Sequence, residues 1–319
     1  MRPTLRLPAL IATLLLLNAC NLSAAEAGKT VSSDSAAASI AQTDPQCQAI
    51  DDFYWEIGNG EGVLASGRIG DDYAADETID IASASKFIWG AYVLENLKAG
   101  EKPNDEQLSY LEMKSGYAEF NPLFCLLSKS VDSCLDARSN NKRSSSAIGR
   151  FSYGGGHDQR MAASMGLGRK NAAELTGTVM GTLGLSGLDI AYKRPQPAGG
   201  LEASPAAYGK FLSKIVAGDL RIHDYLGYQP VCAFEGVGCN ALSSPVKERW
   251  HYSLNHWVED DPDTGDGAFS SPGLMGFYPW ISADRSTYGL VARKKLSKSA
   301  YWDSVQCGRK IRAAWMESH

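Results

Sequence analysis

The sequence predicts an α/β (α+β) fold: an antiparallel sheet built from N- and C-terminal strands, flanked by helices, with a mostly helical insert over about residues 100–248. Three observations point there. Runs of β-type residues occupy 52–69 and return from Arg249 onward, whereas the stretch between them carries apolar residues at helical spacing. Strands at both chain ends with helices between them suit a layered α/β architecture with one shared sheet. The 319 residues, 44% hydrophobic and 21% charged, can bury a large core and exclude collagen-like, coiled-coil and fully disordered chains. A net charge of −5 gives nucleic-acid binding no electrostatic support, so no nucleic-acid partner is expected.

In chain order, the first segment carries Arg2 and Arg6 and then an apolar stretch from Leu7 to Leu17. A positive start followed by a short hydrophobic segment reads as an export signal, too short for a lasting membrane span. It ends Leu17-Asn18-Ala19-Cys20, which resembles the bacterial lipobox, where the cysteine is acylated and becomes the first residue. Residues 1–20 are therefore expected to be signal peptide and lipobox. The protein would then sit in the cell envelope, anchored in the outer membrane and facing the periplasm, with the lipid bilayer as its partner through Cys20. Asn18 departs from the usual lipobox, and ordinary cleavage near Ser23-Ala24-Ala25 is the alternative. Residues 21–46 are rich in Ala and Ser with almost no large apolar side chains, which reads as a flexible tether. The domain proper is expected over 47–319.

Within it, Asp52–Ile57 and Gly62–Ile69 flank Gly58-Asn59-Gly60 and predict a hairpin. Thr78-Ile-Asp-Ile81 is strand-like. Ser85–Leu97 places Phe87, Ile88, Ala91, Tyr92 and Leu94 at helical spacing and closes at Ala99-Gly100. The basic, polar run Ser139–Ser146 reads as a solvated loop. Helical patterns recur at Asp158–Met165, Ala172–Leu183 and Pro205–Val216. Trp250–Val258 alternates as a strand does, Gly276–Ile281 and Thr287–Arg293 follow as strands, and Asp303–Met316 closes the chain as a helix.

Seven cysteines are one too many for pairing. With Cys20 spent on acylation or removed by cleavage, six remain in a chain bound for an oxidising compartment. Fifteen pairings are possible. Spacing favours Cys47–Cys307, Cys125–Cys134 and Cys232–Cys239, the first bracketing the whole domain. There is no Cys-x-x-Cys, so no metal site is expected, and no cofactor either.

The chemistry rests on one spacing. G-x-S-x-G, H-E-x-x-H, the P-loop and G-x-G-x-x-G are all absent. Ser-x-x-Lys occurs at Ser83–Lys86, Ser139–Lys142 and Ser244–Lys247, and about one such match arises by chance in a chain this long. Context separates the three: Ser139 lies in a polar loop and Ser244 precedes Pro245, whereas Ser83 follows a strand and opens an apolar helix. Residues three apart share a helix face, so the Lys86 amine can reach the Ser83 hydroxyl. N–H groups at the helix start favour a developing anion. A lysine serves as a base only where burial makes its charged form costly.

Ile81-Ala-Ser-Ala-Ser-Lys-Phe87 resembles the nucleophile segment of the serine β-lactamase and penicillin-binding protein superfamily, in its class C and esterase branch. Further blocks resemble the same family in the same order. They are Met113-Lys-Ser-Gly-Tyr117, Phe151-Ser-Tyr-Gly-Gly-Gly-His157, Pro197-Ala-Gly-Gly-Leu-Glu-Ala-Ser204, His251-Tyr-Ser-Leu-Asn-His-Trp257 and Ser271-Pro-Gly-Leu-Met-Gly-Phe277. The resemblance covers about residues 50–316. It implies a β-lactamase/transpeptidase-like fold, Ser83 as the acylated nucleophile, Lys86 as its base and Tyr153 as a proton carrier to the leaving group. The oxyanion would be held by the N–H groups of Ser83 and Leu274, with Ser271 and Gly273 beside the substrate. His157, after three glycines, is a further candidate near the substrate.

Two departures matter. Gly154 and Gly155 follow Tyr153, so the family's asparagine is missing. Ser271 replaces the family's cation, which holds a substrate carboxylate. A hydroxyl hydrogen-bonds but supplies no charge. The expected activity is therefore an exported serine hydrolase acting on an ester or amide, in a small molecule or peptide. The alternatives are a catalytically weak cell-envelope binding lipoprotein, or a D-alanyl carboxypeptidase or β-lactamase in which another cation, such as Arg293, replaces the missing one.

Overall fold

The structure is a computed structural model that describes residues 33–318. The export signal and Cys20 lie outside the described residues. Part of the expected tether does not. Ser33–Thr43 forms helix α1, and Pro45–Gln48 forms the short helix α2. Alanine is the best helix former, and Ala37 and Ala41, one turn apart, are buried where α1 meets the C-terminal helix. Small side chains give little apolar area, which is why the composition reads as a tether. They also let two helices approach closely. Asp44 starts α2 by accepting from the Gln46 N–H at 2.8 Å, ahead of Pro45.

The expected hairpin is β1 (Phe53–Asn59) and β2 (Gly62–Ile69), and β3 (Ile79–Asp80) leads into α3 (Ser85–Glu95). The insert carries α4 (Asp105–Leu111), α5 (Val131–Leu135), α6 (Gly156–Ala162) and α7 (Ala172–Thr182). After these come β4 (Ile190–Tyr192), β5 (Leu201–Ala203), α8 (Pro205–Val216) and α9 (Ile222–Tyr225). The chain then forms β6 (Val231–Cys232), β7 (Glu235–Gly236), β8 (Cys239–Asn240), β9 (His251–Ser253) and β10 (His256–Val258). It ends with β11 (Phe269–Ser270), β12 (Tyr278–Ile281), β13 (Tyr288–Ala292) and α10 (Ala300–Met316).

The main sheet runs β2-β1-β13-β12-β11-β10-β9-β6, antiparallel throughout. The chain ends pair one strand in from the β2 edge, with Tyr54 opposite Ala292 and Ile57 opposite Gly289. Both faces of β1 are covered. Phe53, Trp55 and Ile57 pack with Ala37, Val305 and Trp315, on the side of α1 and α10, whereas Tyr54 packs on the side of α3 and α8. Each such large apolar side chain contributes about 1.5–3 kcal/mol on burial. Glu56, on the Tyr54 face, is buried too; it accepts from Tyr54 at 2.8 Å and Tyr288 at 3.3 Å. Burial pushes its carboxyl up to about 7.

The alternating run Trp250–Val258 is two strands, not one. Leu254 and Asn255 both take positive φ, 40° and 66°, and turn β9 into β10. An apolar leucine at a turn hides it from pattern reading. The turn is buried against α3: a side chain on Gly90 would meet the Leu254 carbonyl at 2.5 Å. All three predicted bridges are present, and Cys47–Cys307 ties α2 to α10 across 260 residues of sequence.

Candidate active site

Strand β3 delivers the chain to a single tight turn, Ala82–Ala84, before α3 begins. Ala82 has φ 45°, an uncommon and strained conformation for a residue with a side chain. It stands immediately before Ser83. The Ser85 hydroxyl donates to the Ala82 carbonyl at 2.6 Å and receives the Leu201 N–H at 3.3 Å, pinning the turn to β5. Ser83 itself is half-buried.

Every residue of α3 from Ser85 to Leu94 is buried, so Lys86 is carried into the interior with only 3% of its surface exposed. Lys86 Nζ lies 3.2 Å from Ser83 Oγ and donates to the Ala198 carbonyl at 3.0 Å. That carbonyl holds the amine in place, and sequence reasoning missed it because a backbone atom leaves no residue-type signature. The amine also sits 4.8 Å from the centre of the Tyr153 ring. Tyr153 in turn stacks on Trp257 at 5.1 Å. Lys86 thus meets the ring face of Tyr153, and no hydrogen bond joins the Tyr153 hydroxyl to Ser83 or Lys86. A ring face stabilises the ammonium form.

Ser271 lies against Ser83, its hydroxyl donating to the Ser83 carbonyl at 3.0 Å. Gly273 follows at the end of the strand, where a side chain would strike the Ile81 carbonyl, and its N–H is taken by Phe277 at 2.7 Å. The Leu274 N–H has no hydrogen-bond acceptor among the described residues. Ser83 lies in the first turn of a helix, where N–H groups have no intrahelical partner. Both expected oxyanion donors are therefore open. A hollow of about 280 Å³ opens beside Leu274, lined also by Met275, Lys295, Leu296, Ser297 and Lys298.

Two expectations are corrected. His157 is fully buried, with Nε2 donating to the Ser152 carbonyl at 2.9 Å, so Nδ1 is the acceptor for the Ser115 hydroxyl at 2.7 Å. Both nitrogens are occupied, and burial pulls the imidazole down to about 4. His157 fastens Ser115 and Ser152, from two of the resembling blocks, to α6 rather than meeting substrate. Arg293 does not supply the missing cation. It is buried and donates to Ser304 Oγ, the Ile50 carbonyl and the Ala300 carbonyl, clamping α10 to the sheet.

Neither a family model nor a curated protein matches the chain. Solved structures do. A penicillin-binding protein homologue from Caulobacter crescentus superposes with a TM-score of 0.65 at 12% identity, over 88% of this chain and 97% of that one. A β-lactamase candidate from Bacteroides dorei gives a TM-score of 0.60 at 19% identity, covering 84% and 94%. This is the serine β-lactamase and penicillin-binding protein fold. Simvastatin synthase from Aspergillus terreus shares it as well, with a TM-score of 0.57 at 15% identity over 91% of this chain and 99% of that one. The likeness is one of fold. Among the described residues no group of three or more His, Cys, Asp or Glu could hold a metal ion.

Proposed function

We propose that the protein is an exported serine hydrolase that forms an acyl-enzyme on Ser83 from an ester or amide. The observation that carries this reading is the 3.2 Å contact between Ser83 Oγ and the buried amine of Lys86. Neutral Lys86 accepts the Ser83 proton as Oγ attacks the carbonyl carbon. The open N–H groups of Ser83 and Leu274 take the negative charge that develops on the carbonyl oxygen. The ammonium so formed rests on the Ala198 carbonyl and the Tyr153 ring. It returns its proton to the departing oxygen or nitrogen, and water repeats the sequence to free the acid. With Ser271 in place of a cation and Arg293 occupied, the substrate group at that position is uncharged.

A fluorophosphonate probe tests this reading. It is expected to label the wild type and not Ser83→Ala, whereas a folded wild type that no such probe labels would favour the cell-envelope binding role. Labelling by penicillin instead would point to the cell-wall enzyme. Export and anchoring rest on the sequence before Ser23. Cys20→Ser is expected to release the protein from membranes, and undiminished membrane retention would refute the anchor.

A further inference from the structure

An oxyanion site needs its N–H groups aimed at one oxygen, and each N–H belongs to a peptide whose carbonyl lies on the far side. A trans peptide is planar, with N–H and C=O directed oppositely, so a hydrogen bond that fixes the carbonyl also aims the N–H. For Leu274 that carbonyl is Gly273's, which takes the Gly276 N–H at 2.8 Å. For Ser83 it is the carbonyl of Ala82, the residue at φ 45°. So unfavourable a conformation persists only where its surroundings hold it. Here the holder is Ser85. Its hydroxyl donates to the Ala82 carbonyl at 2.6 Å, and its N–H bonds to the same carbonyl and to that of Ser83. Ser85 is wholly buried, and its Oγ accepts the Leu201 N–H at 3.3 Å, while the Leu201 carbonyl takes the Ile81 N–H at 3.2 Å. The Pro197–Ser204 block therefore supports both halves of the site: the Ala198 carbonyl holds Lys86, and the Leu201 N–H holds the Ser85 hydroxyl.

We propose, resting on the hydrolase reading above, that Ser85 is a positioning residue for the oxyanion site: its hydroxyl, held by Leu201, fixes the Ala82–Ser83 peptide and so aims the Ser83 N–H at the oxygen that becomes charged. The two arms of the site differ in one respect. The Gly273 carbonyl is held by backbone, whereas the Ala82 carbonyl is held in part by a side chain, which a substitution removes without touching the main chain. The turn has two further anchors, the Ser271 hydroxyl on the Ser83 carbonyl at 3.0 Å and the Tyr208 hydroxyl on the Ala84 carbonyl at 2.8 Å. Neither bond involves Ser85. Three successive carbonyls are thus each taken by a hydroxyl, and only the one on Ala82 acts on the peptide that carries the Ser83 N–H. Ser85 meets no substrate, because its donor is spent on Ala82 and its oxygen accepts from Leu201. Its influence falls on the charge that develops in the transition state, and not on the binding of a neutral ester.

The experiment compares wild type with Ser85→Ala and Ser85→Cys, the second close to serine in size but with a thiol that donates only weakly. Acylation by p-nitrophenyl acetate is followed before steady state, which separates the maximal rate from the half-saturating concentration. Phenylboronic acid is titrated alongside. Ser83 Oγ gives an electron pair to boron and its proton to Lys86, leaving an anionic tetrahedral boronate with one oxygen in the oxyanion site. Both variants are expected to lose about 10-fold or more in maximal acylation rate, short of the roughly 10²–10³ that follows complete removal of an oxyanion donor. Phenylboronic acid is expected to weaken by a similar factor, with the half-saturating ester concentration unchanged. A role in folding alone would lower the fraction of protein that is acylated while each folded molecule reacts at the wild-type rate, and that outcome overturns the proposal. So does a loss confined to the half-saturating concentration. If Ser85→Ala does not fold, Ser85→Cys decides by the same readouts. A wild type that neither the ester acylates nor phenylboronic acid binds overturns the hydrolase reading itself. A reactive wild type with unchanged variants overturns the positioning role alone.

Discussion

Lys86→Met is expected to slow acylation of Ser83 about 10²- to 10⁴-fold, the usual worth of a positioned general base. Methionine keeps the length and apolar stem of lysine and removes only the amine. The helix around it is buried from Ser85 to Leu94, so near-isosteric volume matters for keeping the fold. The expected signature is a wild-type thermal melt with the labelling rate nearly gone. A rate within a factor of two of wild type would remove Lys86 from the mechanism. Because the amine is held by the Ala198 carbonyl as well as by Ser83, the loss is of a proton acceptor and not of a whole local structure.

The largest effect on stability is expected at the opposite side of the sheet. Arg312→Ala should cost about 3–5 kcal/mol, the loss that follows when one partner of a buried ion pair is removed. Arg312 is 1% exposed on α10 and reaches Glu259 at 2.9 Å, Asp266 at 2.7 Å and the Tyr278 hydroxyl at 2.7 Å. Glu259 is itself wholly buried and also accepts from Arg309 at 2.9 Å. Burial alone would push the Glu259 carboxyl up, but the two guanidiniums outweigh it and hold the carboxyl below its ordinary value. A carboxyl depressed in this way contributes stability at neutral pH that is lost as pH falls through and below the ordinary carboxylate range. Urea unfolding at pH 7 measures the effect, and a change under 1 kcal/mol would show that the network is incidental to the fold.

Much of the site was legible in the sequence because it is local. Ser83 and Lys86 are three residues apart at the start of an apolar helix, and helix geometry alone brings them together. The resemblance carried Tyr153 and Ser271 to the same neighbourhood, and the structure brings both against the pair, although Tyr153 presents its ring to Lys86. The sites that sequence reasoning misjudged are those whose role depends on what lies across the fold. His157 follows three glycines and reads as a candidate near the substrate, but Ser115 and the Ser152 carbonyl close over it. Arg293 looked like a spare cation until α10 was seen to consume it. Asp158 sits in a helical stretch where an aspartate ordinarily faces water, but it is buried and accepts from Asn255, on the turn seated against Gly90.

The same division holds for the fold. The sequence by itself determined the hairpin, the helices Ala172–Thr182 and Pro205–Val216 to within a residue, the antiparallel sheet shared by the two ends and the three cysteine pairs. These follow from hydrophobic period, turn residues and spacing, all of which act over short range or leave a countable trace. Tertiary structure alone decided that Ser33–Thr43 is helix and not tether, since its small face has value only against α10. It also decided what the buried Lys86 amine meets, the Ala198 carbonyl and the Tyr153 ring, because the cost of burying a charge is set by neighbours that the chain brings from far away.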